Sequence, residues 1–205
     1  MNQQRKAMFW SRVNKTTLEA ESARSELASA LSFKQCQLDS KLAKLYFEHK
    51  RNDQVATESF LNWQERAFQY AIADTIQIAD EQENVLSYLN LWSILSPEKV
   101  HVKIDFQITH SDIEINPFIL LPLIQNALHN GYNSMSEHPV KIKLSGSVGS
   151  IKLEVSNRVN HYLSNQAEND YIQHFQERLK RQYPSHNLFL NSNSNLFKAV
   201  LLINF

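Results

Sequence analysis

Residues 115–133, INPFILLPLIQNALHNGYN, decide how the rest of the chain is read. Asn116 before Pro117 predicts an extended turn, because the proline ring disfavours a helical conformation in the residue before it. From Pro117 to Leu128 nearly every position is apolar, which predicts a helix buried on most of its surface. Gln125, Asn126, His129 and Asn130 form a polar tip, and Gly131 ends the helix as a C-terminal glycine does. A buried helix with a polar end serves either a ligand or another part of the protein. The flanking sequence has to decide between them.

Around this helix the hydrophobic period is two. Val100, Val102, Ile104 and Phe106 alternate with His101, Lys103 and Asp105, which predicts a half-buried strand. Downstream, residues 140–144 and 151–155 predict two short strands joined as a hairpin through residues 145–150. Residues 165–183 predict a helix with Ile172, Phe175 and Leu179 on one face, and residues 188–190 and 197–203 predict two closing strands.

The N-terminal half is helical in pattern. Residues 16–50 contain no proline or glycine, and Leu27, Leu31, Leu38, Leu42 and Leu45 recur at spacings of four, seven, four and three. That approaches a coiled-coil heptad and predicts one long amphipathic helix that needs a hairpin partner or a second chain. A turn near residues 49–57 leads to a second helix over about 58–75, with Phe60, Trp63, Ala67, Phe68, Ala71 and Ile72 inward. A third helix is expected over about 80–95, with Asp80 as N-cap and Glu83 completing a capping box, ended by Ser96-Pro97. The expected fold class is α+β: a helical hairpin region over residues 1–95, then an α/β sandwich over 96–205 with helices on one face of a mixed sheet.

Composition sets further limits. The 205 residues carry 21 Lys+Arg and 21 Asp+Glu, a formal net charge of zero, which argues against bulk nucleic-acid binding. Charge is unevenly placed: residues 52–98 hold eight acids against Arg66 alone, a net of −7. Residues 1–15 carry Arg5, Lys6, Arg12 and Lys15 with no acid, as a cytoplasmic membrane flank or a solvated helix end would. A single cysteine, Cys36, leaves no disulfide framework within the chain and fits a reducing compartment. No apolar run reaches the ~18 residues of a membrane span. The eight histidines show no helical i, i+4 pair of the kind that binds zinc.

The segment from Ile115 to Gly131 resembles the signature "IPPLLLQPLVENAIKHG" of LytS/YehU-type sensor histidine kinases, with both prolines (117 and 122), the Asn126-Ala127 pair and Gly131 at matching spacing. His174-Phe175-Gln176-Glu177-Arg178-Leu179 is similar to that family's "NVRERL", and residues 78–91 to its acidic entry and "YL" element. The resemblance implies a dimerisation and signalling hairpin over 1–95 and an ATPase-like domain of the Bergerat (GHKL) fold over 96–205. It implies ATP and Mg²⁺ as cofactors, with Asn126 as the metal ligand.

Set against that family's motifs, several positions depart. Gln125 replaces the acid before Asn126, and Asn130 replaces the histidine before the glycine. Ser156 and Asn157, followed by Arg158, stand where the family's Asp-x-Gly box would read adenine. Residues 165–170, in place of the glycine-rich lid, hold no glycine and carry Glu168 and Asp170. Lys41 stands at the phosphoacceptor position, and a protonated ammonium has no lone pair with which to attack phosphorus. His49, further along, is a substitute acceptor to weigh against an ordinary turn histidine.

Three readings follow. The first is a two-component pseudokinase that signals by protein contacts through a degenerate pocket of Gln125, Asn126, Asn130, Ser156 and Asn157. The second is a divergent but active ATP-dependent histidine kinase, and the third a non-catalytic dimeric scaffold unrelated to kinases. The expected partners are a second copy and either a response regulator, including the LytTR type, or a partner kinase, with no nucleic acid. The expected location is cytoplasmic, including the cytoplasmic part of an inner-membrane protein whose membrane segment lies upstream of this chain.

Overall fold

The N-terminal helix α1 runs over Gln3–Gln37 and finds its main partner at the other end of the chain. The computed structural model describes residues 3–110, 112–160 and 168–205, with side chains from Lys15 onward. Helix α1 packs antiparallel on α6 (Asp170–Gln182): Glu26 lies near Arg181, Gln35 near His174 and Cys36 near Tyr171. Its buried face is Ser29, Ser32, Phe33, Cys36 and Gln37, whose two serines let the helices approach closely. Leu27, Leu31 and Leu38, three of the five leucines of the expected stripe, face solvent.

The single helix expected over residues 16–50 is broken at Leu38. Asp39 takes an extended conformation and caps a short helix α2 (Ser40–Leu45), which widens into a π-helical turn over Tyr46–Lys50. Helix α3 (Gln54–Phe68) starts at a second aspartate cap, Asp53, and stops before the expected residue 75, leaving Phe68 exposed. Helix α4 (Ile78–Leu95) begins two residues before Asp80, with no side-chain cap, so the expected capping box does not form.

The α/β part is built from β1 (Ile76–Gln77), β2 (Val102–Ile108), β3 (Glu114–Ile115), α5 (Leu121–Asn130), β4 (Gly131–Tyr132), β5 (Val140–Ser147), β6 (Ser150–Val159), α6, β7 (His186–Ser192) and β8 (Leu196–Asn204). The main sheet has the order β2-β5-β6-β8-β7, with β4 also on β6. β2 runs parallel to β5 because α5 lies between them as a crossover, and the other pairs are antiparallel. The expected 145–150 hairpin is tighter than read, with Ser147 paired to Ser150. Ile104 is 42% exposed, because β2 is the sheet's edge.

Strand alternation sends Ile142, Leu144, Leu153, Val155, Ala199 and Leu201 inward against α5 and α6. The opposite sheet face meets solvent. One hydrophobic cluster runs from this inner face through α5 and α6 into α1, α3 and α4. Phe118 joins the layers: it is fully buried at φ 58° and its ring lies 5.9 Å from Phe33, 5.9 Å from Trp63 and 5.4 Å from Tyr70. No helix among the described residues is long and apolar enough to cross a membrane.

Candidate functional site

The two ends of α5 are held by different chemistry. At its entrance, two buried charges grip the backbone of residues 117–120. The Glu81 carboxylate on α4 accepts from Phe118 N at 2.8 Å and Leu120 N at 3.1 Å, and from Asn84 Nδ2 at 3.2 Å. The Arg178 guanidinium on α6 donates to Phe118 O at 3.1 Å and Pro117 O at 2.6 Å, and its Nε donates to Gln182. The positive φ of Phe118, uncommon for a bulky residue, is thus fixed from both sides. Burial raises the Glu81 carboxyl to about 7, against the pull of these donors and of Arg178.

At the tip, side chains satisfy one another. Asp39 is buried, and its carboxylate is the hub. One oxygen accepts from Lys41 N and Leu42 N at 2.9 and 3.1 Å, which is the cap of α2. The other accepts from His129 Nε2 at 2.8 Å, from Gln125 Nε2 at 3.2 Å and from the Tyr88 hydroxyl. Burial alone would raise this carboxyl. The His129 charge and the bonds from His129, Tyr88 and Leu42 outweigh burial and hold it below its usual value. The Tyr171 hydroxyl donates to Gln125 Oε1 and lies 3.9 Å from Cys36 Sγ. Burial raises both phenols well above their ordinary value, so Tyr88 and Tyr171 act as neutral donors. It also raises the Cys36 thiol to about 12, which leaves it inert.

Asn126 belongs to the same tip. Its Oδ1 accepts from Asn130 Nδ2 at 2.8 Å and from Asn169 Nδ2 at 3.0 Å, and a carboxamide oxygen has two lone pairs. Asn169 also caps α6 by accepting from Ile172 N at 3.0 Å. One asparagine therefore ties the start of α6 to the end of α5.

The structure brings some of the sequence-predicted residues together and separates others. Gln125, Asn126 and Asn130 share the α5 tip. Asn157 joins them from β6: it is 1% exposed, and a Cβ on Gly131 would fall 2.2 Å from its Nδ2. Glycine is required at 131 by this approach rather than by its backbone angles, since its φ is −96°. Alternation along β6 turns the Ser156 side chain to the solvent face of the sheet, away from the α5 tip, where it lines a cavity of about 410 Å³ with Asn157, Lys141 and Arg158. Lys41 reaches the tip from outside, its Nζ donating to His129 O at 2.7 Å as a cation at a helix C-terminus. His49 is exposed on the π-helical turn. Of the expected lid, residues 165–167 lie outside the described residues.

Sequence reasoning missed Asp39, Tyr88, Tyr171 and Glu81. Asp39-Ser40 inside a leucine stripe was the available signal, since aspartate is a favoured N-cap and marks a break. His129 is visible in sequence as part of the polar tip, but its partner Asp39 lies 90 residues away.

Mg²⁺ takes oxygen ligands with free lone pairs in near-octahedral geometry. The Asn126 oxygen has both lone pairs spent on Asn130 and Asn169, and Gln125 is committed to Asp39 and Tyr171. No group of three or more His, Cys, Asp or Glu side chains suited to a metal occurs among the described residues. As arranged, these residues do not fit a Mg²⁺-bound nucleotide.

Comparison with known proteins gives likeness in fold. No protein-family model matches the sequence, and no curated protein matches it. Among solved structures, a bacterial phosphotransferase superposes with a TM-score of 0.50 at 7% identity, covering 87% of this chain and 96% of that one. The histidine kinase domain of the Erythrobacter litoralis EL346 blue-light activated histidine kinase gives 0.48 at 11% identity, covering 88% and 94%. A histidine kinase from Burkholderia phymatum STM815 gives 0.45 at 11%, covering 90% and 97%. At such identities the fold alone is shared, and the superposition on the phosphotransferase establishes it.

Proposed function

We propose that the chain is a histidine-kinase-like protein of two-component signalling that acts as a pseudokinase, through protein contacts rather than ATP turnover. The observation that carries this reading is the Asn126 carboxamide oxygen, whose two lone pairs are spent inside the protein. The signature at Ile115–Gly131 supports the LytS-type assignment, and the α+β fold is compatible with it. The exposed Leu27, Leu31 and Leu38 on α1 support association with a second copy. A response regulator or a partner kinase is the other expected contact. Incubation with γ-labelled ATP and Mg²⁺ tests the reading: no label should enter the protein, and stoichiometric labelling would refute it.

A second reading has one observation in its favour. His49 is exposed, whereas Lys41 is engaged with the end of α5. With a phosphotransferase among the structures of like fold, His49 is then a phosphoryl acceptor supplied by a partner rather than by ATP. Treatment with phosphoramidate followed by ³¹P NMR should show a phosphohistidine that His49→Gln removes. An unchanged spectrum in that variant would rule His49 out.

A further inference from the structure

The solvent face of the sheet carries a strip of cations that the fold does not neutralise. By strand register Lys103 stands beside Lys141, and Lys141 beside Ser156. Like charges on neighbouring strands repel. Glu154 accepts Lys152 at 2.6 Å and Lys198 at 2.5 Å, and this pairing holds its carboxyl down at about 2. By register Lys143 stands between Glu154 on β6 and Asp105 on β2, whereas Lys103 and Lys141 have no acid directly beside them. The Asp105 carboxylate, beside Lys143, accepts from Gln107. Lys103, Lys141, Lys143 and Arg158 form no ion pair among the described residues.

At one end of this strip the surface becomes concave. The cavity of about 410 Å³ is lined by Lys141, Arg158, His138, Ser156, Asn157 and Asn195, with Glu137 as the single acid in its wall. Cations and neutral donors around a cavity select carboxylate or phosphate groups. Two features choose between possible anions. The cavity wall has no Phe, Tyr or Trp on which a base could stack, and His138 is its single aromatic ring. Elsewhere residues 52–98 carry a net of −7, so a polyanion long enough to reach them would meet repulsion. A short acidic stretch escapes that penalty.

We propose that this face docks an acidic peptide segment of a partner protein, with carboxylate side chains seated in the cavity between Lys141 and Arg158 and a neighbouring one on Lys103. The cavity touches Asn157 beside the α5 tip, but the Lys141 and Arg158 side chains make none of the tip's hydrogen bonds, so the proposal stands independently of the pseudokinase reading.

The test is fluorescence anisotropy of the whole chain with a fluorescein-labelled, Glu/Asp-rich dodecapeptide at low and at physiological salt. Binding should be present at low salt and weaken as salt rises. The double variant Lys141→Glu/Arg158→Glu should weaken it by about tenfold or more, and Lys15→Glu on α1 should not. The milder pair Lys141→Gln/Arg158→Gln covers the case in which charge reversal perturbs folding, with circular dichroism as the check. Unchanged peptide affinity in a folded double variant would overturn the proposal. So would tighter binding of a labelled single-stranded oligonucleotide of equal charge. A concentration-dependent dimer in sedimentation that the double variant abolishes, without any peptide binding, would assign the face to a second copy instead.

Discussion

The entrance and the tip of α5 are less than three turns apart, and each is closed by a buried carboxylate, yet they are closed for different reasons. At the entrance Glu81 and Arg178 bond backbone groups of residues 117–120, which would otherwise be left without partners in the core. At the tip Asp39 bonds side chains from α4 and α5, and Asn126 bonds Asn130 and Asn169. The first arrangement serves the fold. The second consumes the groups from which a ligand site would be made. Polar residues at a helix end can thus have their hydrogen-bonding groups spent on one another rather than offered to a ligand.

The two ends differ most in what removing one partner should cost. Arg178→Met leaves Glu81 without its counter-charge and two carbonyls without donors, so a loss of about 3–5 kcal/mol is expected in urea or guanidinium unfolding. A loss below about 1 kcal/mol would mean that the entrance is not held by charge.

The pH response should separate the ends by sign. Glu81 is raised from 4.5 to about 7, so its folded state binds the proton more tightly than the unfolded state. Stability should therefore fall as pH rises from about 4.5 to about 7, by up to about 3 kcal/mol. Asp39 is lowered from 3.8, so its contribution is lost in the opposite direction, as acid is added below that value. Glu81→Gln should flatten the slope between pH 4.5 and 7 and leave the acid limb in place. A slope that persists in Glu81→Gln would assign it to another group.

At the tip, Asp39→Asn removes the ionised acceptor for His129 and Tyr88 and should cost about 1–3 kcal/mol, read as a shift in denaturant midpoint. Gly131→Ala brings a Cβ to 2.2 Å from Asn157 Nδ2 and 2.6 Å from the Ala127 carbonyl oxygen, and should cost a similar 1–3 kcal/mol, roughly, through overpacking. The smallest effect belongs to Lys41→Ala, at most about 1 kcal/mol, since its bond to His129 O lies at the surface.

Much of the fold was legible because its signals are local. The apolar body of α5, the period of two in β2, β5 and β6, and the Ile172-Phe175-Leu179 face of α6 each lie within one element. The break of α1 was masked by leucines that continue through it. The face that α1 buries is built from Ser29, Ser32, Phe33 and Cys36, not from its most apolar stripe, because its partner α6 comes from the far end of the chain. The tip was legible in residue identity and opaque in state. Gln125, Asn126 and Asn130 could be named from the motif, but Asp39 lies 86 residues from Gln125 and 90 from His129. No spacing rule links such positions. Ser156 differs: one step along a strand turns its side chain to the other face of the sheet from that of Asn157, although both residues line the cavity beside Lys141.

The most direct test of the claim that the α5 tip is spent internally is isothermal titration calorimetry of the whole chain with ATP in the presence and absence of excess Mg²⁺. The account predicts no saturable heat in either case up to millimolar nucleotide. Micromolar, Mg²⁺-dependent binding that Asn126→Ala abolishes would contradict it, because it would show that Asn126 gives up Asn130 and Asn169 for a metal ion.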